Sequence, residues 1–232
     1  MSSDDRLHAK AQAIYRLLVE EYGQPAWRRH YDPLSELVLT FLSQNTSDVN
    51  SHRAFEQLKA RYPTWEAVVA APTEELAAAI RSGGLADIKA PRIQEALQRI
   101  LEERGAFDLD FLADLPLEEA KGWLTSLQGI GPKSAAIVLL FCFGRPVFPV
   151  DTHIHRLSQR LGIVSPETSR EQAQAVWEAL VPAEVYYPLH LNLITHGRRV
   201  CRARDPLCPI CALQAHCDWY AGTVPPPHAA KR

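Results

Sequence analysis

Along most of this chain, apolar residues return every third or fourth position, and each such run is closed by glycine or proline. In DRLHAKAQAIYRLLVEEYG (5–23), Leu7, Ala11, Ile14, Leu17 and Leu18 share one helical face and Gly23 stops the run. The same period predicts helices over 32–44, 48–62, 87–105, 117–127, 132–144, 152–162 and 169–181. Thr64 and Thr73 are candidate N-caps of two short helices, the second ending at Gly83-Gly84. Thr168 with Glu171 has capping-box spacing ahead of 169–181. No stretch alternates as a half-buried strand does, and only IVLLFCF (137–143) could pass for a buried one. The fold class expected is therefore all-α, with ten or more short helices.

The chain has 232 residues, enough for one large domain or two compact ones, and its 47% hydrophobic content suits an ordinary core. No apolar run is long enough to span a bilayer, and MSSDDRLHAK opens without the apolar segment of a secretory signal. A net charge of −2 argues mildly against a nucleic-acid partner. Its distribution argues the other way. Arg198, Arg199, Arg202 and Arg204 crowd into GRRVCRAR (197–204), which is either a solvated basic turn or an anion-binding surface. Their place among cysteines favours the second. The proline-rich tail, 222–232, reads as disordered.

In LQGIGPKSA (127–135), Gly129 and Gly131 let the chain turn tightly, and Pro132 suits a first helical position. Such a turn between helices aims backbone N–H groups at an anion, although Gly-x-Gly alone is also an ordinary helix–helix turn. Lys133 then falls in a first helical turn, the positive end of the helix dipole. That field and partial burial lower an amine's pKa, and a neutral amine is a nucleophile. Asp151 in VDTH (150–153) reads by itself as an N-cap. A helix over 132–143 travels about 18 Å outward. The extended RPVFPV (145–150) spans at most about 20 Å and can bring Asp151 back. Amine, carboxylate and phosphate-gripping turn in one place would suit attack at a sugar carbon of a nucleic acid.

Four of the five cysteines follow the pattern Cys201-x6-Cys208-x2-Cys211-x5-Cys217; Cys142 stands alone in an apolar run as a core residue. Four thiolates so close in a chain without a secretion signal point to a metal centre rather than disulfides. The spacing alone leaves zinc and iron–sulfur open.

The stretch from LQGIGPKSA to VDTHIHRLSQRLG closely resembles the endonuclease III family of helix-hairpin-helix DNA glycosylases, with a likeness running from about residue 30 to 220. The resemblance implies two helical domains with a DNA-binding cleft between them. One, 26–145, would hold six helices and the hairpin; the other, 1–25 plus 146–221, would hold a 4Fe–4S cluster on Cys201, Cys208, Cys211 and Cys217. It implies a base-excision-repair glycosylase with AP lyase activity on oxidised pyrimidines, cutting 3′ to the abasic site by β-elimination. Lys133 would be its nucleophile and Asp151 its carboxylate.

The partner implied is double-stranded DNA with damaged or missing bases, bound by a monomer. In a prokaryote that places the protein in the cytoplasm, on the nucleoid. Gly129 and Gly131 would meet a phosphate, and Arg198, Arg199, Arg202 and Arg204 the backbone. Asn45, with Gln44 beside it, and Leu85 lie where the family fills the gap left by an extruded nucleotide. Read without the family, Gln44 and Asn45 are a polar helix end and Leu85 a loop anchor. Two departures stand out: Pro132 replaces a common basic residue, and the SQNT loop lacks a common alanine beside its glutamine. Three alternatives remain: a catalytically silent damage-binding protein of the same fold, a monofunctional mismatch glycosylase, against which Lys133 argues, and a zinc-stabilised module.

Overall fold

The computed structural model of the protein describes residues 2–223, so the expected disordered tail lies outside the described residues from 224 onward. Those residues form eleven α-helices joined by loops and short 3₁₀ turns, with no strand among them. The all-α expectation holds, and IVLLFCF is helical. No described helix is long and apolar enough to cross a membrane. The chain divides into two compact units: Arg28–Arg145, and a second assembled from residues up to Trp27 together with Pro146 onward.

The first unit contains α2 (Pro33–Ser43), α3 (Asp48–Arg61), α4 (Trp65–Ala70), α5 (Thr73–Ala79), α6 (Ala86–Arg104), α7 (Leu117–Thr125) and α8 (Pro132–Phe143). Asp32 starts α2: its Oδ1 accepts the Ser35 N–H at 2.9 Å, and Pro33 follows at the first helical position. Every residue of α2 from Pro33 to Leu42 is buried. Leu37, Phe41 and Leu42 are fully enclosed, each contributing about 1.5–3 kcal/mol by burial. Packing rather than propensity fixes α2. Its neighbours are α3, α6 and α8.

Helix α8 is nearly as enclosed, with Val138, Leu139 and Cys142 in the core. It ends at Gly144, left-handed at φ 63. The Arg145 N–H reaches Leu139 O at 3.0 Å and the Gly144 N–H reaches Leu140 O at 3.1 Å, so the left-handed glycine folds the chain back onto the last carbonyls of the helix. Arg29 donates to the last-turn carbonyl of Cys142 at 2.9 Å. The Arg145 guanidinium gathers the carbonyls of Leu112, Ala113 and Leu115.

The second unit contains α1 (Ser3–Tyr22), α9 (Thr152–Arg160), α10 (Arg170–Leu180) and α11 (Tyr186–Arg199). Asn192 on α11 donates to Leu18 O and Gly23 O at the end of α1. Trp177 on α10 is fully buried, and its indole N–H donates to Ser158 Oγ on α9 at 2.7 Å. Lys10 on α1 meets Asp218 of the C-terminal loop at 2.6 Å.

Three local expectations need correction. Ser169 rather than Thr168 caps α10, with Gln172 completing the box, because the helix begins one residue later. Pro72 occupies the cap position of α5. Thr73 is its first helical residue and donates to Gln94 Oε1 instead of capping. Helix α11 had no sequence assignment. Pro188 lies in its first turn, where a proline forfeits no internal hydrogen bond. Gly197–Arg199 therefore close a helix instead of forming a free basic turn.

Ser158→Ala removes the acceptor of a buried indole N–H. The expected loss is roughly 1–3 kcal/mol of unfolding free energy in a urea titration. Pairing it with Trp177→Phe should cost less than the sum of the two single changes.

Candidate functional site

The hairpin runs from α7 through Leu127–Gly131 into α8, anchored by Leu127 and Ile130, both buried. Gly129 sits at φ +91, and a Cβ there would come within 3.0 Å of Arg92 Cδ and 3.2 Å of Phe41 Cε1. Its carbonyl accepts the Gln44 side-chain N–H at 2.8 Å. Gly131 differs from the sequence expectation. Its φ of −97 is open to any residue, so conformation does not require glycine there. A Cβ at Gly131 would meet nothing within 4 Å, and this N-cap offers no side chain to the first-turn N–H groups of α8. The turn is thus open where an anion would approach a helix N-terminus.

Lys133 is the second residue of α8 and is half-buried. Its charge acts on a carboxyl the sequence did not single out. Glu36 on α2 is only 8% exposed, and burial raises its pKa from 4.5 to about 7. Lys133 and His52 pull that value down, whereas Asp32 pushes it up. A carboxyl poised near neutrality within the field of an amine can hold or release a proton.

Two exposed tips flank α2 and α6 in the same unit. Asn45 follows the end of α2 with a left-handed φ of 54 and is exposed, while Gln44 is tied to the hairpin. Leu85 precedes α6 with a left-handed φ of 51 and 49% exposure. Ile88, one turn along, is comparably bare. An apolar side chain held outward on a strained backbone is not a loop anchor.

In the other unit, Asp151 is the N-cap of α9, its Oδ1 accepting the Ile154 N–H at 2.8 Å. Its Oδ2 accepts no hydrogen bond among the described residues. Lys133 and Asp151 thus belong to different units. Further along α9, Arg156 donates to the carbonyls of Gly197 and Cys201. Arg160, 4% exposed, places Nη1 3.1 Å from Cys201 Sγ.

Cys201, Cys208, Cys211 and Cys217 line one cavity, walled also by Trp219 and Tyr220. Burial pushes the Cys211 thiol up to about 11, and the other three cysteines push the same way. No group of three His, Cys, Asp or Glu side chains among the described residues is set to hold a metal ion. The surroundings nonetheless suit an anionic centre. Arg160 is buried without a carboxylate partner among the described residues, and its Nε lacks any hydrogen-bond acceptor. Buried cations call for nearby negative charge, which metal-bound thiolates carry. Arg198 and Arg199 on the last turn of α11 are exposed, as are Arg202 and Arg204 in the loop after Cys201. Cys142 is a buried core thiol, as its sequence setting suggested.

Residues 38–182 match the family described as HhH-GPD superfamily base excision DNA repair protein. An Arabidopsis thaliana protein whose assignment as a DNA glycosylase is provisional is 40% identical over 165 residues, 71% of this chain and 56% of its own length. An endonuclease III of Thermotoga maritima is 35% identical over 209 residues, covering 90% of this chain and 92% of that protein. A solved structure of endonuclease III bound non-covalently to DNA superposes with TM-score 0.80 at 27% identity, covering 96% of this chain and 98% of that one.

Glu36 gives a pH signature. Its folded-state pKa exceeds the unfolded value, so its contribution is fully present below about pH 4.5 and is lost as pH rises through about 7. Between those limits the wild type should lose on the order of 3 kcal/mol that Glu36→Gln retains. Urea midpoints of both proteins in mildly acidic and mildly alkaline buffer check this; parallel curves would count against the buried carboxyl.

Proposed function

This chain belongs to the HhH-GPD superfamily of base excision DNA repair proteins, and we propose that Lys133 and Asp151 carry a glycosylase and AP lyase reaction on oxidised pyrimidines in duplex DNA. The observation that carries the reading is Lys133 itself: a half-buried amine in the first turn of α8, beside a hairpin open to an anion. The likeness to endonuclease III over most of the chain supports it.

In the proposed reaction the neutral Lys133 amine attacks C1′ of the extruded nucleotide. The C1′–N bond breaks, and the base leaves with the bonding pair and takes up a proton. The amine gives up its own proton, for which Glu36 is a nearby acceptor. Asp151 stabilises positive charge developing on the sugar, as carboxylates do in glycoside cleavage. The sugar ring opens to a Schiff base. Loss of a C2′ proton then expels the 3′ phosphate, and water releases the enzyme.

Asn45 or Gln44 and Leu85 fill the vacated stack, and the hairpin and the four arginines hold phosphates. The protein works as a monomer on damaged duplex DNA, in a prokaryote within the cytoplasm. Cys201, Cys208, Cys211 and Cys217 hold a 4Fe–4S cluster, which when bound supplies a rigid cross-link for the arginine-bearing loop rather than chemistry at the sugar.

Borohydride added to the protein with a duplex carrying thymine glycol or an abasic site should trap a covalent adduct, absent in Lys133→Gln. Asp151→Asn should bind the duplex normally and cut it at least tenfold more slowly. Binding without any adduct or cleavage in the wild type would leave a damage-binding protein instead. Metal analysis of the purified protein should find about four irons and as many sulfides per chain. Zinc in their place would remove the cluster.

A further inference from the structure

A second charge is buried in the hairpin-bearing unit, and nothing above gives it a task. Lys89 on α6 is 2% exposed, and its Nζ donates to Leu42 O at 2.7 Å and Gly83 O at 2.8 Å. It has no ion pair among the described residues, and burial lowers its pKa to about 8. Enclosing a cation without an anion is costly, and a methionine of similar length would avoid that cost. What the ammonium does that methionine cannot is bind two carbonyls at once.

Those carbonyls come from different segments. Leu42 lies in the last turn of α2, where the helix dipole is negative and carbonyls lack internal partners. Gly83 closes the 3₁₀ turn Arg81–Gly83. The segments abut so closely that a Cβ on Gly83 would stand 3.1 Å from Ala54 Cβ and 3.7 Å from Leu42 O. Beyond each carbonyl, within three residues, the chain enters a left-handed turn that carries an exposed side chain: Asn45 after Leu42, and Leu85 after Gly83. The Lys89 backbone N–H also bonds Leu85 O at 2.9 Å. One residue therefore fastens the bases of both tips.

We propose that Lys89 is a positioning residue that clamps the Gln44–Asn45 turn and the Leu85 turn into a single wedge, so that both enter the DNA duplex as a unit. The proposal rests on the glycosylase reading above. Separate anchoring would let each tip shift independently. A clamp on backbone carbonyls fixes their spacing whatever side chains they bear.

An abasic sugar in a single strand needs no extrusion, so it bypasses the wedge and isolates the lyase step. Cleavage of an abasic site is measured in duplex and in single-stranded DNA for the wild type and Lys89→Met. The expected result is at least a tenfold fall in the duplex-to-single-strand ratio. An unchanged ratio, whether both rates fall together or neither does, overturns the clamp. If the wild type fails to cut even the single strand, it is the glycosylase reading that fails. On a Leu85→Ala background, Lys89→Met should lower the ratio by no more than about twofold; a full additive loss overturns the proposal. Should Lys89→Met not fold, amide exchange in the wild type decides. Residues 43–46 and 84–88 should gain protection together on binding a duplex with a reduced abasic site, and protection of one segment alone overturns the clamp.

Discussion

At Gly129 the hairpin presses so closely on Phe41 of α2 and Arg92 of α6 that a Cβ would stand 3.2 and 3.0 Å from them. That contact sets the depth at which the turn sits on the rest of the unit. The Gln44 amide takes the Gly129 carbonyl and fixes its direction. The N-terminus of α8, with Lys133 in its first turn, then has a defined place relative to the buried Glu36. A larger residue at 129 would suffer twice, from the steric contacts and from its positive φ. Everything proposed for Lys133 depends on this close approach between a turn and the side of a helix.

Burial was the quantity least legible in the residues. Glu36 and Lys89 interrupt apolar helical runs in a way that reads as a solvent-facing position. Only the arrangement of α2, α3, α6 and α8 encloses them. Punctuation was more legible. Gly129, Pro132 and Gly144 mark the turn and both ends of α8 because each satisfies a backbone requirement that few other residues meet. Gly131 looked equivalent to Gly129, but its backbone is ordinary; its value lies in the open space beside it. Helix α11 escaped notice because Pro188 and Gly197 lie inside it, whereas contacts such as Asn192 with the end of α1 hold it. Neighbouring Ser169 and Thr168 both belong to the cap-forming types, serine being the better, and Ser169 takes the role because α10 begins at Arg170.

The two units solve the burial of charge differently. Around the hairpin, a buried carboxyl and a buried ammonium stay separate, one in the field of Lys133 and one bridging two backbone carbonyls. Around the cysteines, Arg156 and Arg160 spread their guanidinium N–H groups over the carbonyls and sulfur of Cys201 and its neighbours. Such multidentate use of arginine holds a loop that has little regular structure.

The discontinuous unit has a consequence for synthesis. Helix α1 is synthesised ahead of Arg28–Arg145, yet its partners, Asn192 and Asp218, lie beyond that stretch. The intervening unit, Arg28–Arg145, is contiguous and can fold while α1 waits. At about 5–20 residues per second, translating that stretch takes roughly 6–24 s. An amphipathic helix without its docking surface is an aggregation hazard for that interval and until Asn192 and Asp218 follow. The first turn of α1 carries Asp4 and Asp5, and the Asp5 carboxylate closes a capping box with Ser2, so this helix carries its own N-terminal cap before its docking surface exists.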